Sequence, residues 1–460
     1  MTKTSSSILI KNGTIITVDP ARRILEKGYV KIKDDRITEV GETKNLRTTN
    51  ETSDKVIDAF GKAVLPGLIS GHTHCCQSLM RGTGEGWWKL GLEERSFRIT
   101  RKYNEEVRPS ESYQAALLSC LEMIKAGIAC FGDLWQRDMD QVARAVQDSG
   151  MRACIAQTLA DQPRLSDTAP LSTKENLKLG EGLVRRWHNK VDGRITCMFN
   201  PHSLRSASPE LILKCREFAH KYNIGIIINV SEVKDDVTFV TRHHLRRPVE
   251  LLNDLGVLGA DVIANHSVWV NDHEIKILKQ TGTNVVHNPA SNLKLASGLC
   301  PVVRMIAEGV NVGLGVDGPT YNNTQDVLQE MRLAALVHSL EWPLDPGALP
   351  PEVVLEMATI NNARAMGMQD KLGSIEPGKK ADITILDLRQ PHFTPTIMGC
   401  ASNLLSNIVY CANGRDVDTT IVDGVVLMEH RKVLSLDEDQ VIAKAQELGM
   451  NLTERIAHAC

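Results

Sequence analysis

The sequence of 460 residues is poor in several features that would define its class. Aromatic residues make up only 4% of it, and no run of about 18 apolar residues is present that could cross a bilayer. Neither sign of charge dominates, because 53 basic and 56 acidic residues give a formal net charge of −3. We therefore expect neither nucleic acid nor a membrane as a partner.

The eleven cysteines form no recognisable framework. No CxxC pair is present, and a chain of this length can bury a sizeable core without disulfides, so neither a disulfide scaffold nor a zinc ribbon is indicated. Residues 1–7 are polar and have no apolar stretch behind their charge, so no signal peptide is expected. Together these features predict a cytoplasmic protein.

Short alternating strands occupy both ends of the sequence. In residues 7–65, apolar and polar residues alternate in short runs that turn signals separate, which predicts small antiparallel β structure. The same pattern of short alternating runs returns after residue 373. We expect the two ends to join into one β-sandwich, with its first part in residues 1–64 and its second in 374–435, followed by a C-terminal helix in 436–460.

Residues 65–373 alternate short apolar runs with longer helical patterns. These runs make about eight strand–helix units, which predicts an α/β fold with a (β/α)8 barrel. In such a barrel the chemistry lies at the carboxyl ends of the strands. Seven polar residues fall at or just after such ends: His72, His74, Asn229, Glu232, His266, His287 and Asp317.

The most informative stretch is His72-Thr73-His74, which ends the apolar run of residues 63–71. On a strand, residues i and i+2 point to the same face. Two imidazoles on one face of a strand end are suited to binding a metal ion. The pair therefore predicts metal-assisted chemistry on a small molecule.

Four ordered motifs carry a resemblance to a known family. They are Pro66-Gly67-Leu68-Ile69 with His72-Thr73-His74, then Ala264-Asn265-His266-Ser267, then residues 287–295 (HNPASNLKL), and then residues 313–318 (GLGVDG). The chain resembles the metal-dependent amidohydrolase superfamily, in particular the branch of the chlorotriazine hydrolases and adenosylhomocysteine deaminases. Residues 373–387 are similar to the returning β domain of that branch, so the resemblance covers nearly the whole chain.

The resemblance implies a role for each matched position. His72, His74 and Asp317 would bind the metal, and Asp317 would also accept a proton from the attacking water. His266 would hydrogen-bond the nucleophile or the reacting group of the substrate. Glu232 matches the carboxylate that carries a proton to the leaving group.

One position departs from the family's pattern, because Asn229 stands where a histidine is expected. Asparagine ligates only through its amide oxygen, which is harder and weaker than imidazole nitrogen, but the neutral amide preserves the charge balance of the site. Two arrangements remain open: Asn229 binds the metal, or it hydrogen-bonds a water while His266 becomes the third protein ligand. At this position the chain resembles the subgroup of the phenylurea hydrolases and molinate hydrolase.

Five further residues are candidate substrate contacts. Trp87 and Trp88 either line an apolar pocket or anchor a helix to the barrel rim. His202 and Arg205 lie where the resembling deaminases contact substrate, although Arg205 could instead pair with an acidic neighbour. His287 is either a substrate contact or a core histidine that holds the following loop.

Three functions are compatible with these residues. The preferred hypothesis is hydrolysis of a C–N or C–S bond in a small neutral urea, carbamate or thiocarbamate, such as a phenylurea herbicide or molinate. The alternative is deamination or dechlorination of a triazine, pterin or purine nucleoside, and a third hypothesis is a non-catalytic binding protein. For the enzyme we expect a homo-oligomer with one divalent ion per subunit: zinc first, with cobalt, iron or manganese as alternatives.

Overall fold

A computed structural model describes residues 6–46, 53–83, 101–135, 137–163, 170–341 and 344–458. The strands are β1 Ser7–Ile16, β2 Ile24–Lys33, β3 Arg36–Glu42, β4 Lys55–Asp58, β5 Lys62–Pro66, β6 Leu68–Thr73, β7 Ile128–Trp135, β8 Arg152–Leu159, β9 Ile195–Cys197, β10 Asn200–Pro201, β11 Ile226–Val230, β12 Val262–His266, β13 Asn284–His287, β14 Val312–Leu314, β15 Ile383–Asp387, β16 Val417–Val422, β17 Val425–Glu429 and β18 Lys432–Val433.

The helices alternate with the strands of the central part. They are α1 Lys102–Glu106, α2 Pro109–Lys125, α3 Met139–Ser149, α4 Thr173–Trp187, α5 Pro209–Tyr222, α6 Lys234–His244, α7 Pro248–Asp254, α8 Asp272–Thr281, α9 Pro289–Lys294, α10 Val302–Ala307, α11 Val327–Val337, α12 Pro351–Met357, α13 Ile360–Ala365, α14 Leu404–Cys411 and α15 Glu438–His458. Within the described ranges, no helix is both long enough and apolar enough to cross a membrane.

The strands from β6 to β14 form the predicted (β/α)8 barrel. In the first half β6 pairs with β7, β7 with β8, and β8 with both β9 and β10, all in parallel. In the second half β11, β12, β13 and β14 pair in that order, also in parallel. Parallel bridges join the two halves, from Phe199 to Ile226 and from Thr73 to Asp317. The second bridge closes the barrel by bringing the carboxyl ends of its first and last strands together.

The barrel strands are buried on both faces, which explains their nearly continuous apolar runs. One face packs into the barrel interior, where Ile69, Ile227, Ile263 and Val286 lie in the same apolar cluster. The opposite face packs against the surrounding helices. This alternation fixes which side chains of each strand reach the interior, and therefore which can reach a central site.

The two chain ends join in a nine-stranded sheet in the order β18-β17-β16-β15-β5-β1-β2-β3, with β4 also paired to β1. Buried side chains from both ends, including Ile10, Val30 and Ile383, share one separate core. The prediction of purely antiparallel pairing in residues 7–65 is wrong, because β4 and β5 run parallel to β1. After β3 the chain crosses back to the free side of β1, and an alternating pattern cannot show the direction of a partner strand.

Candidate metal and active site

The barrel closure places three predicted metal ligands together. The backbone N–H of Asp317 donates to the carbonyl of His72 at 3.0 Å, which ties the loop after β14 to the end of β6. Nε2 of His72 and Nε2 of His74 then lie 3.5 and 3.3 Å from Oδ1 of Asp317. Asp317 has a left-handed backbone (φ 57°), a conformation that favours glycine and that the surrounding contacts must hold here.

The histidine rings are arranged as ligands. Among the described residues neither ring nitrogen of His72 has a hydrogen-bond partner, although the residue is fully buried. Burial lowers the pKa of His72 to about 4, so the ring is neutral at pH 7. Nδ1 of His74 donates to the carbonyl of Leu134 at 2.6 Å, which leaves the lone pair of that ring on Nε2, facing Asp317.

The carboxylate of Asp317 is held by two further donors. Oγ of Ser291 donates to Oδ2 at 2.5 Å, and the backbone N–H of Gly318 donates to Oδ1 at 2.7 Å. Burial alone would raise the pKa of Asp317, but its contacts with His72 and His74 outweigh burial and keep that pKa well below its usual range. Asp317 is therefore ionised, as a metal-binding carboxylate must be.

His266 ends β12 and points at the same place. Its Nδ1 lies 3.1 Å from Oδ1 of Asn292 and 3.3 Å from Nδ2 of Asn288. The ligand atoms of His72, His266 and Asp317 all lie within 4.8 Å of one another. Three side chains from three strand ends therefore converge on one point.

Glu232 stands just after β11, beside His266. Its Oε2 lies 3.8 Å from Nε2 of His266. Burial raises the pKa of Glu232 above its usual range, while the nearby His266 works in the opposite direction. A carboxyl group with a raised pKa keeps its proton to a higher pH than a free carboxyl group does, which suits it to exchange a proton with a substrate.

Asn229 is half-buried and engaged with a neighbouring strand. It pairs in register with Asn265 of β12, and Nδ2 of Asn265 donates to its Oδ1 at 3.2 Å. Asn265 itself is fully buried, and its own Oδ1 has no partner among the described residues. The two amides form a polar pair one layer beyond Ile227 and Ile263.

The predicted substrate contacts lie in different surroundings. Nδ1 of His202 contacts Oγ of Ser206 at 3.1 Å. Nη1 of Arg205 lies 3.6 Å from Oδ1 of Asp236, and its guanidinium lies 5.5 Å from the centre of the Phe239 ring. Trp87 and Trp88 fall outside the described residues.

The side chain of His287 contacts a second buried histidine, His338. Its Nε2 lies 3.0 Å from Nε2 of His338, whose Nδ1 contacts Glu341 at 3.2 Å. This nitrogen of His287 is therefore occupied by a second buried histidine. The arrangement favours the core alternative for His287, which holds the start of the loop that carries Asn288, Ser291 and Asn292.

Several site residues were missed by the sequence reasoning. Ser291 and Asn292 support Asp317 and His266, and Asn265 supports Asn229. Asp133, fully buried beside His74, accepts the backbone N–H of Cys75 at 2.7 Å, and burial raises its pKa to about 6. Ser291 and Asn292 could have been predicted from the sequence, because residues 288–292 follow the end of a strand and include three polar side chains.

A divalent metal fits this site. The ring nitrogens of His72 are buried without a hydrogen-bond partner among the described residues, and the ionised carboxylate of Asp317 beside them supplies the negative charge that a cation needs. The ligand atoms of His72, His266 and Asp317 converge on this point, and Nε2 of His74 lies 3.3 Å from Oδ1 of Asp317, whereas the oxygen of Asn229 accepts a hydrogen bond from Asn265.

Comparison with known proteins places this barrel in a family. A profile described as Amidohydrolase family matches residues 63–427, and the chain belongs to that family. It is 40% identical over 98% of its length to a 5'-deoxyadenosine deaminase of Methanosarcina acetivorans, 99% of which is covered. It is 37% identical over 97% of its length to a 5-methylthioadenosine/S-adenosylhomocysteine deaminase of Syntrophomonas wolfei, 99% of which is covered.

Solved structures give the same fold and a metal. An adenosine deaminase from Xanthomonas campestris with bound zinc superposes with a TM-score of 0.89 at 26% identity, covering 98% of this chain and 99% of the other. An atrazine chlorohydrolase from Arthrobacter aurescens in complex with zinc gives 0.86 at 25% identity, covering 96% and 100%. The chain is thus a metal-dependent hydrolase of carbon–nitrogen bonds.

These relatives correct the preferred hypothesis about the substrate. Hydrolysis of a urea, carbamate or thiocarbamate was expected because Asn229 replaces a histidine, but the full-length relatives are named as nucleoside deaminases. None of these relatives is named for a phenylurea, a carbamate or the degradation of a herbicide. Asn229 alone therefore does not identify the substrate class, because the similarity to deaminases extends along 98% of the chain.

Proposed function

We propose that this protein deaminates an adenine nucleoside whose 5' position carries a small uncharged group. The observation that carries the proposal is the similarity, over 98% of this chain, to proteins named 5'-deoxyadenosine deaminase. The site geometry supports it, since a cation site and a carboxyl group with a raised pKa lie side by side.

The resident cation in this proposal is one zinc ion per chain. His72, His74 and Asp317 would hold it, and zinc accepts such nitrogen and oxygen ligands. When bound, it supplies the Lewis acidity that makes water a competent nucleophile near neutral pH.

Deamination requires that protons reach nitrogen. Water adds to the ring carbon that bears the amine, the C–N bond breaks, and ammonia leaves. One hydrogen of the water ends on the departing ammonia and the other on the ring nitrogen of the product. Glu232 has the position and the raised pKa to take up and release these protons at its carboxyl oxygens.

The electrostatics of the rim favour a neutral 5' group. Arg205 could in principle bind a substrate carboxylate, but Asp236 lies 3.6 Å from its guanidinium. The stacking of Arg205 beside Phe239 holds the guanidinium near that partner. Because the positive charge is already compensated, a carboxylate at the end of a long 5' substituent gains little there.

The test is a comparison of nucleosides with the zinc-loaded protein. Ammonia release and the change in adenine absorbance would be measured with 5'-deoxyadenosine, 5'-methylthioadenosine, adenosine and S-adenosylhomocysteine. We expect the highest kcat/KM for the substrates with an uncharged 5' group and the lowest for S-adenosylhomocysteine, which carries a carboxylate. Absence of ammonia release from all four would refute the proposal, and a preference for S-adenosylhomocysteine would refute its account of Arg205.

A further inference from the structure

We propose that His266, rather than Asn229, completes the protein ligands of the metal, and that Asn265 holds the Asn229 amide out of coordination. The ligand set is then His72, His74, His266 and Asp317. This inference shares the metal site with the proposed function but does not depend on the identity of the substrate.

The first argument is the position of the His266 ring. Its ligand nitrogen lies within 4.8 Å of the ligand atoms of both His72 and Asp317, a separation that one cation can bridge. The ring centres of His72 and His266 are 5.2 Å apart with their planes at 78°, so the rings meet edge to face without stacking. His266 is only 2% exposed and has a left-handed backbone at φ 67°, a conformation that the surrounding contacts must hold.

The second argument is the tautomer of His266. Oδ1 of Asn292 can only accept a hydrogen bond, and it lies 3.1 Å from Nδ1, so Nδ1 carries the hydrogen. A hydrogen bond from Nδ2 of Asn288, at 3.3 Å, would require a lone pair on the same nitrogen. We assign the hydrogen bond to Asn292 because that contact is shorter. The free lone pair is therefore on Nε2, the nitrogen that faces Glu232 and the cation site.

The third argument is the engagement of Asn229. Its amide oxygen is its only ligand atom, and Nδ2 of Asn265 donates to one of the two lone pairs of that oxygen at 3.2 Å, which turns the amide oxygen towards β12. The two residues pair in register on adjacent strands, so the contact follows from the sheet itself. A neutral amide oxygen is also a weaker zinc ligand than imidazole nitrogen, so zinc binds His266 in preference to Asn229.

This ligand set changes which residue can transfer protons to the reacting group. Nε2 of His266 cannot both bind a cation and donate a hydrogen bond to the substrate. Proton transfer then falls to Glu232, whose Oε2 lies 3.8 Å from that nitrogen. This differs from the role of His266 that the family resemblance implies.

The experiment compares zinc affinity in the full-length protein and in four variants: His266→Ala, Asn229→Ala, Asn265→Ala and His74→Ala. Zinc dissociation constants are measured by competition with a coloured chelator, and zinc content by elemental analysis. We expect His266→Ala and His74→Ala to weaken zinc binding by more than about 100-fold, beyond the range for loss of an outer partner. We expect Asn229→Ala and Asn265→Ala to change it less than about tenfold.

A second readout avoids the ambiguity of a variant that folds poorly. In the cobalt-substituted protein, the visible absorption bands report the atoms bound to the metal. His266→Ala should shift these bands, whereas Asn229→Ala should leave them in place. His273→Ala removes an exposed histidine of α8, outside the cation site and its supporting loops, and serves as the control with unchanged zinc affinity.

Two outcomes would contradict the inference, and a third would contradict only the proposed function. Loss of zinc in Asn229→Ala comparable to that in His74→Ala would make Asn229 a ligand. Zinc binding unchanged in His266→Ala, with unchanged cobalt bands, would remove His266 from the ligand set. Normal zinc behaviour together with no ammonia release from any nucleoside would refute the proposed function while leaving this inference standing.

Discussion

Glu232 combines a half-buried carboxyl group of raised pKa with a position beside His266 of the cation site. If it carries protons during deamination, Glu232→Gln keeps the size and hydrogen-bonding capacity of the side chain but removes the transferable proton. We expect kcat for 5'-deoxyadenosine to fall by about 100- to 10,000-fold, the usual contribution of general acid–base catalysis. Steady-state ammonia release measures this loss.

A matched control separates chemistry from stability. Glu210 lies exposed in the first turn of α5, so Glu210→Gln makes the same chemical change away from the site. Its kcat should equal that of the unaltered protein, and both variants should retain zinc. A Glu232→Gln protein with nearly full kcat would exclude Glu232 as the proton carrier.

The sequence predicted individual site residues where spacing along a strand determines geometry. His72 and His74 follow directly from the alternation of a strand, and Asp317 from its place at the end of the last one. The amide pair of Asn229 and Asn265 did not follow, because it depends on the register between two strands separated by 36 positions. Register is set by packing of the whole barrel, which a single sequence does not display.

At the scale of elements, α11 anchors the two loops that support Asp317. Oε2 of Glu330 accepts the backbone N–H of Ala290 at 3.0 Å, at the start of α9, and Oε1 accepts Nδ2 of Asn322 at 2.8 Å. Burial raises the pKa of Glu330 from 4.5 to about 8, and the carboxylates of Asp317 and Asp326 add to the increase. The folded protein therefore binds a proton that the unfolded chain releases at lower pH.

This linkage predicts a pH-dependent stability. The contribution of Glu330 to the free energy of unfolding is fully present below the unfolded pKa, near 4.5, and is lost as the pH rises through about 8. Glu330→Gln removes the titrating group. Urea denaturation between about pH 5 and pH 9 should show the stability of the unaltered protein decreasing relative to that of the variant. A constant difference across this range would contradict the prediction.

The contact between α13 and the barrel strands also belongs to this scale. Nδ2 of Asn362 donates to the carbonyls of Ile69 and Leu314, both at 2.7 Å, and so ties the first strand to the last. This close approach requires glycine at position 313, since a Cβ there would overlap Oδ1 of Asn362 and lie 2.8 Å from its Cγ. The side chain of Asn362 cannot retreat without losing both hydrogen bonds.

Gly313→Ala should therefore lower the free energy of unfolding by about 1–3 kcal/mol, the usual cost of overpacking. Gly347→Ala is the matched control, because a Cβ there meets Oδ1 of Asp345 at an ordinary 3.4 Å. Its effect should stay within about 0.5 kcal/mol. Urea denaturation measures both, and equal effects would show that Asn362 adjusts freely.

The elements themselves were largely predictable from the sequence, and their partners were not. Alternating runs near both ends indicated strands, and apolar runs followed by helical patterns indicated the barrel units. The parallel pairing of β4 and β5 with β1 was not visible, nor was the role of α13 inside the barrel. These features depend on contacts between distant segments, for which local patterns carry no signal.

At the scale of the whole molecule, one buried ion cluster connects the barrel to the sheet of the chain ends. Arg152 of β8 donates to Asp382 at 2.8 and 3.1 Å and to Asp423 at 2.8 Å, and Lys380 contacts Asp423 at 2.8 Å. Arg152 is only 3% exposed. Two carboxylates of the terminal sheet therefore depend on one guanidinium from the barrel.

Removing that guanidinium should affect the sheet of the chain ends and the barrel together. Arg152→Ala removes the guanidinium that hydrogen-bonds both Asp382 and Asp423, and we expect a loss of about 3–5 kcal/mol in the free energy of unfolding. All six tryptophans lie in residues 65–373, so fluorescence reports the barrel, whereas far-ultraviolet circular dichroism reports the whole chain.

In the unaltered protein the two signals should change at the same urea concentration, because the ion cluster makes the two parts unfold as one cooperative unit. In Arg152→Ala the sheet of the chain ends should unfold first, so circular dichroism should change at lower urea than fluorescence. Arg246→Ala removes an exposed arginine, paired with Asp254 at 2.8 Å, and should leave both transitions in place. Coincident transitions in Arg152→Ala would mean that apolar packing alone couples the sheet to the barrel.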